Sequence, residues 1–404
     1  MSGYWIRLAE VLGRGSAKIA AVLSKFGSPK AVFDASYTEI CRSGIFSDKE
    51  IKIINKLPLD YQDKVIENCR NAGISIITPD SEKYPARLRN IQNPPCALYV
   101  KGSFPCFDDE VAVTVVGPRN ATRTGVKAAA SLAARLSVAG CVTVSGAARG
   151  IDRASLEGTL AAYGKAVCVV PCGLDSDYPA DTLELRREIL KSGGCIISEC
   201  PPGTRYNKGA FHLRNRILSA LSLATVVIEA GERSGALITA GCALTQGRDI
   251  FVMPGSVEDE AHVGSNRLLR DGARALLSAD DILLEYARVF PHKLNLIEAN
   301  KPFDEDILRR LTKIIGAKEK TTSGDLSTQS SADDVKKTLA PKDTSGLSEL
   351  ARKTLDGFSD IPVTPDRIAD ITGLSVGDIL SALVELEIYG FVRALPGGRY
   401  ELAD

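Results

Sequence analysis

The sequence predicts an α/β protein: a doubly wound parallel sheet, preceded by a helical segment and followed by a small mixed module. Three observations predict it. Six short apolar runs, at 111–116, 141–144, 166–170, 195–197, 224–228 and 249–252, alternate with stretches of helical periodicity. Strands apolar along their whole length are those covered on both faces, as in parallel sheets. The runs also open into loops dense in glycine and in hydroxyl or basic side chains. Finally, 404 residues with 44% hydrophobic and 25% charged composition are ordinary for two or three globular domains.

The elements follow in order. Over 1–75 the apolar residues recur at helical spacing: Leu8, Val11 and Leu12, then Ile19, Ala20, Leu23 and Phe26. Between them lies Gly13-Arg14-Gly15-Ser16, with Ser16 expected as an N-cap. Two readings stand. A helix-hairpin-helix turn would offer backbone N–H groups to a phosphate; a plain hairpin turn would use its glycines only for positive φ. The scarcity of lysine and arginine there favours the second. Pro85, Pro94, Pro95 and Pro105 make 84–107 an extended connector. The layer at 84–290 then places helices at about 126–139, 151–164, 181–192, 213–221 and 235–246. Right-handed crossovers make it Rossmann-like, with ligands expected outside the carboxyl ends of the strands.

Residues 317–348 are rich in Ser, Thr, Lys and Asp and read as a flexible linker. In 349–404, Thr364-Pro365 opens a helix and Thr372-Gly373 turns into a second one bearing Ile379, Leu380, Leu383, Val384 and Leu386. A hairpin through Pro396-Gly397-Gly398 follows. This is the order of a winged-helix domain. Arg393 and Arg399 are the evident cations of the wing, and DNA and protein both remain possible partners.

Fifty basic and fifty acidic side chains give a formal net charge of zero. That excludes nucleic-acid binding by bulk charge and leaves room for a local patch. Ten cysteines without a C-x-x-C pair, several inside apolar runs, point to reduced, buried thiols in a cytoplasmic protein. No signal peptide or membrane span is expected.

The loops carry the candidate chemistry. The first, 117–125, contains Arg119; the second, 145–152, contains Gly146, Arg149 and Gly150. Small residues let backbone approach an anion, and each arginine adds a forked donor matched to phosphate. Neither loop is the G-x-G-x-x-G fingerprint, and no Walker sequence occurs. In the third loop, Asp175 or Asp177 is expected to cap turns and Tyr178 to pack. The fourth holds Lys208, Phe211, Arg214, Asn215 and Arg216. A helix starting near Leu213 would put Arg214 and Asn215 at the positive end of its dipole. Phe211 is either a core anchor or a platform for a stacked base. In the fifth, Ser234-Gly235 begins a helix and makes another anion site. Glu199 and Glu229 would form a carboxylate pair for glycosidic chemistry or hold neighbouring arginines in place; the second is preferred. A triad of His212 with Ser145 or Ser198 is disfavoured. No catalytic residue, cofactor or metal is assigned.

Taken together these loops resemble the DprA/Smf family, the DNA-processing proteins of bacterial natural transformation. The resemblance rests on Val116-Gly117-Pro118-Arg119, on 145–152, on Gly173-Leu174-Asp175 with Tyr178-Pro179, and on Ser198-Glu199. It continues through 211–217, Glu229-Ala230, Ser234-Gly235-Ala236-Leu237, Pro254-Gly255 and Gly264-Ser265-Asn266. It implies a non-enzymatic protein that binds and protects single-stranded DNA, loads the recombinase RecA onto it, and forms homodimers through the central domain. By matching positions, Arg119, Lys208 and Phe211 would contact the strand. Gly146, Arg149, Gly150, Arg214, Asn215, Ser234 and Gly235 would complete the phosphate rim, with Arg216 beside them. The chain departs from the family pattern at Pro118, at Arg153-Ala154-Ser155 and at His212. The alternative is a nucleotide-processing phosphoribohydrolase of the lysine-decarboxylase-like class. Its glycine-rich loop would need a glutamate where Ile238 stands.

Overall fold

The computed structural model describes residues 2–177, 180–207, 209–321, 347–356, 358, 363–388, 391–395 and 399–402. The chain divides into two compact units, Met1–Leu326 and Ser327–Asp404.

Among the described residues of the first unit, nine strands form one sheet. In chain order they are β1 Ser75–Ile77, β2 Leu98–Gly102, β3 Ala112–Val116, β4 Val142–Ser145, β5 Lys165–Val170, β6 Cys195–Ser198, β7 Ala224–Val227, β8 Asp249–Val252 and β9 Arg274–Ala275. Their spatial order is β1-β2-β6-β5-β4-β3-β7-β8-β9. From β6 to β9 every pairing is parallel, whereas β2 joins β6, and β1 joins β2, antiparallel. The six expected strands are all present. The short antiparallel edge of β1 and β2 and, at the other edge, the parallel β9 add to them, with β2 lying inside the stretch read as an extended connector.

Alternation along β3 shows why the strands are apolar throughout. Ala112 and Val116 join the core on one face; Val113 and Val115 join that on the other. Each fully buried valine contributes about 1.5–3 kcal/mol. Chain order reverses between β3 and β7. The crevice outside their carboxyl ends is therefore the switch point where a doubly wound sheet receives ligands.

Helices Ser2–Leu12 and Ile19–Phe26 enclose a core of Trp5, Leu8, Val11, Ile19 and Val22. Gly13 and Gly15 both have φ of 72°, as a tight turn requires. The turn faces the sheet layer: the Gly15 N–H lies 3.5 Å from Glu199 Oε1 and Arg14 Nη1 2.8 Å from Cys200 Sγ. Positive φ at both glycines fits either reading of the turn. Ser16 does not cap the second helix, which Lys18 precedes.

Helix Glu305–Thr321 runs into the stretch read as a linker from 317, and residues 322–346 of that stretch lie outside the described residues. The second unit holds helices Glu349–Leu355, Pro365–Thr372 and Val376–Ile388 and a hairpin of Val392–Leu395 with Arg399–Leu402. Thr364 caps the second helix through Arg367 N, and Gly373, in the left-handed region, ends it. This is a winged helix around Ile368, Ile379, Leu383, Leu386 and Val392. Leu380, by contrast, is 45% exposed. Most of the ten cysteines are buried, and no disulfide forms among the described residues. Among the described residues no helix is long and apolar enough to cross a membrane.

Candidate nucleic-acid interface

The switch-point crevice is a cleft of two adjoining lobes. The larger, about 400 Å³, is lined by Val116–Arg119 after β3, Ala148 and Asp152 after β4, Ser234–Ala236 after β7, and Tyr206, Phe211, Arg214 and Asn215. The second, about 350 Å³, is lined by Asn120, Gly146, Ala147, Arg149, Pro171 and Asp181. Arg119, Ala148 and Phe211 belong to both.

Local sequence explains this convergence. Loop one folds tightly against loop two: a Cβ on Gly150 would stand 2.2 Å from Pro118 O, and one on Gly117 2.3 Å from the Ile151 side chain. Gly150 also has φ of 80°, which an L side chain rarely adopts. Gly150 thus locks two loops together and lines neither lobe.

The fourth-loop helix begins at Ala210, three residues before the expected start, where Asn207 Oδ1 accepts from Ala210 N at 2.9 Å. Phe211 therefore occupies the first turn, and Arg214 and Asn215 the second. Arg214 is buried, not exposed at the dipole end. Its Nη1 donates to Gly146 O at 3.0 Å and to Val169 O, and its Nε to Asn215 Oδ1 at 3.3 Å. That bond leaves the amide N–H groups of Asn215 for the cleft it lines. A Cβ on Gly146 would strike the Arg214 guanidinium at 2.4 Å, so glycine there admits the arginine. Burial lowers the Arg214 pKa, and Asp152 opposes that shift. Asp152 in turn is pushed up to about 6 by burial, against the pull of Arg214 and of backbone N–H groups at Ala148 and Gly146.

Arg216 lies one helical face away. It is buried in an ion pair with Glu199 at 2.5 Å, and it lines neither lobe. The expectation that Arg216 belongs to the rim is therefore corrected: it stands two residues beyond Arg214, about 200° around the helix, which turns it toward the N-terminal helices, where a Cβ on Gly15 would stand 3.5 Å from its Nε. Glu199 holds an arginine, as expected. Glu229 instead accepts from the N–H and hydroxyl of Thr122, the N-cap of helix Arg123–Val138.

Among the described residues, the exposed arginines of the cleft are Arg119 and Arg149. The Arg119 guanidinium lies 4.6 Å from the Phe211 ring centroid, and Tyr206 meets the same ring edge-on at 5.1 Å. Arg119 is exposed and has no carboxylate partner among the described residues. Arg149 is 75% exposed with Nε on Asp181 at 2.5 Å, which leaves the ends of its fork outward. Across the cleft Ser234 caps helix Gly235–Thr245 by accepting from Ala236 N at 3.3 Å. A Cβ on Gly235 would meet nothing within 4 Å, so this helix start faces open space. Lys208, Tyr178 and Pro179 lie outside the described residues.

Sequence reasoning missed Asp152 and Tyr206 as lining residues. Asp152 sits in a quoted motif, yet its burial opposite Arg214 is a tertiary fact. Tyr206, five residues before Phe211, was the readable signal of an aromatic pair. The serine–histidine arrangement does not form: Ser145 and Ser198 donate to Val115 O and Cys172 O at 2.8 and 2.7 Å, both buried, while His212 is exposed. Asp175 accepts twice from Gly203 N, at 3.0 and 2.8 Å, and so ties the third loop to the fourth.

A doubly wound layer with cations, an aromatic and an open helix start at its switch point makes an α/β protein whose cleft has the chemistry that suits a phosphate-bearing ligand. Comparison with known proteins narrows this. The chain belongs to the DprA/Smf family: residues 75–287 match the family described as DNA recombination-mediator protein A, and residues 338–398 match the DprA winged helix domain. It is 30% identical to Protein Smf of Synechocystis sp. over 98% of both chains. It is 37% identical to DNA processing protein DprA of Bacillus subtilis, over 55% of this chain and 74% of that one. The X-ray structure of DNA processing protein A from Streptococcus pneumoniae superposes with a TM-score of 0.62 at 28% identity, covering 70% of this chain and 98% of that one.

Proposed function

We propose that this chain is a DNA-processing protein that binds single-stranded DNA along the two-lobed cleft. It protects the incoming strand and passes it to a RecA recombinase during transformation and recombination, acting in the cytoplasm as a homodimer and without chemistry of its own. The observation that carries the reading is the Arg119–Phe211 stack: an exposed cation on an aromatic ring, shared by both lobes, facing the open helix start at Gly235. Stacking surface combined with exposed cations suits a single strand, whose bases are free to leave the helix stack. In support, the matched family is described as a recombination mediator, and the Bacillus and Streptococcus relatives are named DNA processing proteins.

In this reading Arg119, Arg149 and Lys208 meet phosphates and Phe211 carries a base. Asn215, Ser234 and Gly235 supply N–H donors, while Arg214 and Gly146 hold the floor in shape. The test is a salt titration of oligothymidine binding. Arg119→Ala should weaken binding and lower the salt slope by about one ion, because one phosphate contact is lost. Unchanged affinity, or release of adenine from AMP, would overturn the reading in favour of a nucleotide-processing enzyme.

A further inference from the structure

The winged helix of this chain carries the wrong charge for duplex DNA. Over 347–404 the cations are Arg352, Lys353, Arg367, Arg393 and Arg399. They face ten acidic side chains, while the chain as a whole is neutral. Helix Val376–Ile388, which stands where a recognition helix stands, contains no lysine or arginine; its charges are Asp378, Glu385 and Glu387. In the wing, the Arg393 guanidinium is bound to Glu401, at 3.0 Å from Nε and again through Nη2. Affinity for a duplex is supplied largely by cations that displace counterions from phosphates, and this face would repel the groove it would have to enter.

The same face is also apolar where a DNA reader is polar. Val376 is 39% exposed, Leu380 45% and Ile371 54%, on the end of one helix and the start of the next. Val376 and Leu380 are one helical turn apart and so share a face. The buried residues of this helix, Ile379, Ala382, Leu383 and Leu386, already fill the domain core, so the exposed leucine and valine are surplus to folding. Glu387 is exposed at the far end of the helix and Asp370 beside Ile371.

We infer that this face docks a protein segment: a cationic amphipathic helix whose apolar side chains pack on Val376, Leu380 and Ile371. Its lysines or arginines would sit against Asp370 and Glu387. Complementary charge selects this occupant over nucleic acid, and the apolar strip supplies the anchor pockets on which helix-in-groove recognition depends.

The test uses the full chain and a fluorescein-labelled amphipathic helix of leucine and lysine as the probe, with its leucine–glutamate counterpart as control. The lysine peptide should bind and the glutamate peptide should not. Leu380→Ser should weaken binding about tenfold, and Glu387→Lys should weaken it further as salt is lowered. Both positions are exposed, and melting curves followed by circular dichroism check that both variants fold. Oligothymidine binding should be unchanged in both, which separates this inference from the reading of the cleft. Three results would overturn it. One is peptide binding indifferent to both variants. Another is tight duplex DNA binding that Leu380→Ser abolishes. The third is a dimer that Leu380→Ser dissociates, which would make a second copy the occupant.

Discussion

Arg119 and Arg216 show how little residue type says about role. Both are arginines in loops or helices at strand ends, yet one is exposed on an aromatic ring and the other is buried against Glu199. Their substitutions should separate cleanly. Arg119→Ala should leave the melting temperature nearly unchanged while weakening oligothymidine binding. Arg216→Met should destabilise by about 3–5 kcal/mol in denaturant titration, because it strands a buried carboxylate. Phe211→Ala should cost about 1–3 kcal/mol of strand binding if a base stacks there. A variant that melts early yet binds as before would make the ring a core anchor only. Asp152 brings a pH dependence. Its carboxyl, pushed up to about 6, is ionised above that pH and places a negative charge under the phosphate path. Protonation below it removes that charge. Oligothymidine affinity should therefore rise severalfold between about pH 8 and about pH 5, and Asp152→Asn should flatten the curve. The measurement belongs in a His212→Gln background, since that imidazole also lines the cleft. The same shift acts on folding. The native carboxyl binds its proton more tightly than the unfolded one, so this contribution to stability falls as pH rises from about 4 to about 6.

At the scale of elements, the cleft depends on loops that approach more closely than side chains allow. Gly150, with positive φ and a carbonyl where its Cβ would go, is one of these contacts. Gly150→Ala should separate the first two loops, lowering both stability and strand affinity. Gly235→Ala, with open space around it, should leave stability unchanged within about 1 kcal/mol. Thermal melts of the two variants, set beside their oligothymidine affinities, distinguish a packing glycine from an accommodating one. Helix Ala210–Leu221 joins these scales. It sends Phe211, Arg214 and Asn215 into the cleft and Arg216 toward the N-terminal helices, so one rigid element ties the cleft to the module behind it.

For the whole molecule, neutrality conceals an uneven distribution. The winged helix holds an excess of carboxylates, which leaves the remainder of the chain with a matching excess of cations. Binding of a single strand should therefore reside in the first unit. A chain ending at residue 326 should keep its oligothymidine affinity, or gain slightly at low salt as acidic residues are removed. Loss of binding in that truncation, with the sheet still folded, would move the site to the second unit.

The parallel sheet and the winged helix were legible in the sequence because both rest on local periodicity. Runs such as 166–170 are apolar at every position only when both faces are covered, and Thr364-Pro365 and Gly373 punctuate helices by their own backbone preferences. The loops were legible as a set, since glycine and arginine at successive strand ends converge once the strands are parallel. The tertiary structure alone decided which of their side chains meet solvent. The start of helix Ala210–Leu221 moved Arg214 into the interior, and the angular step of that helix sent Arg216 to Glu199. Burial and electrostatic partners depend on contacts between residues far apart in the chain, and no local pattern encodes those distances.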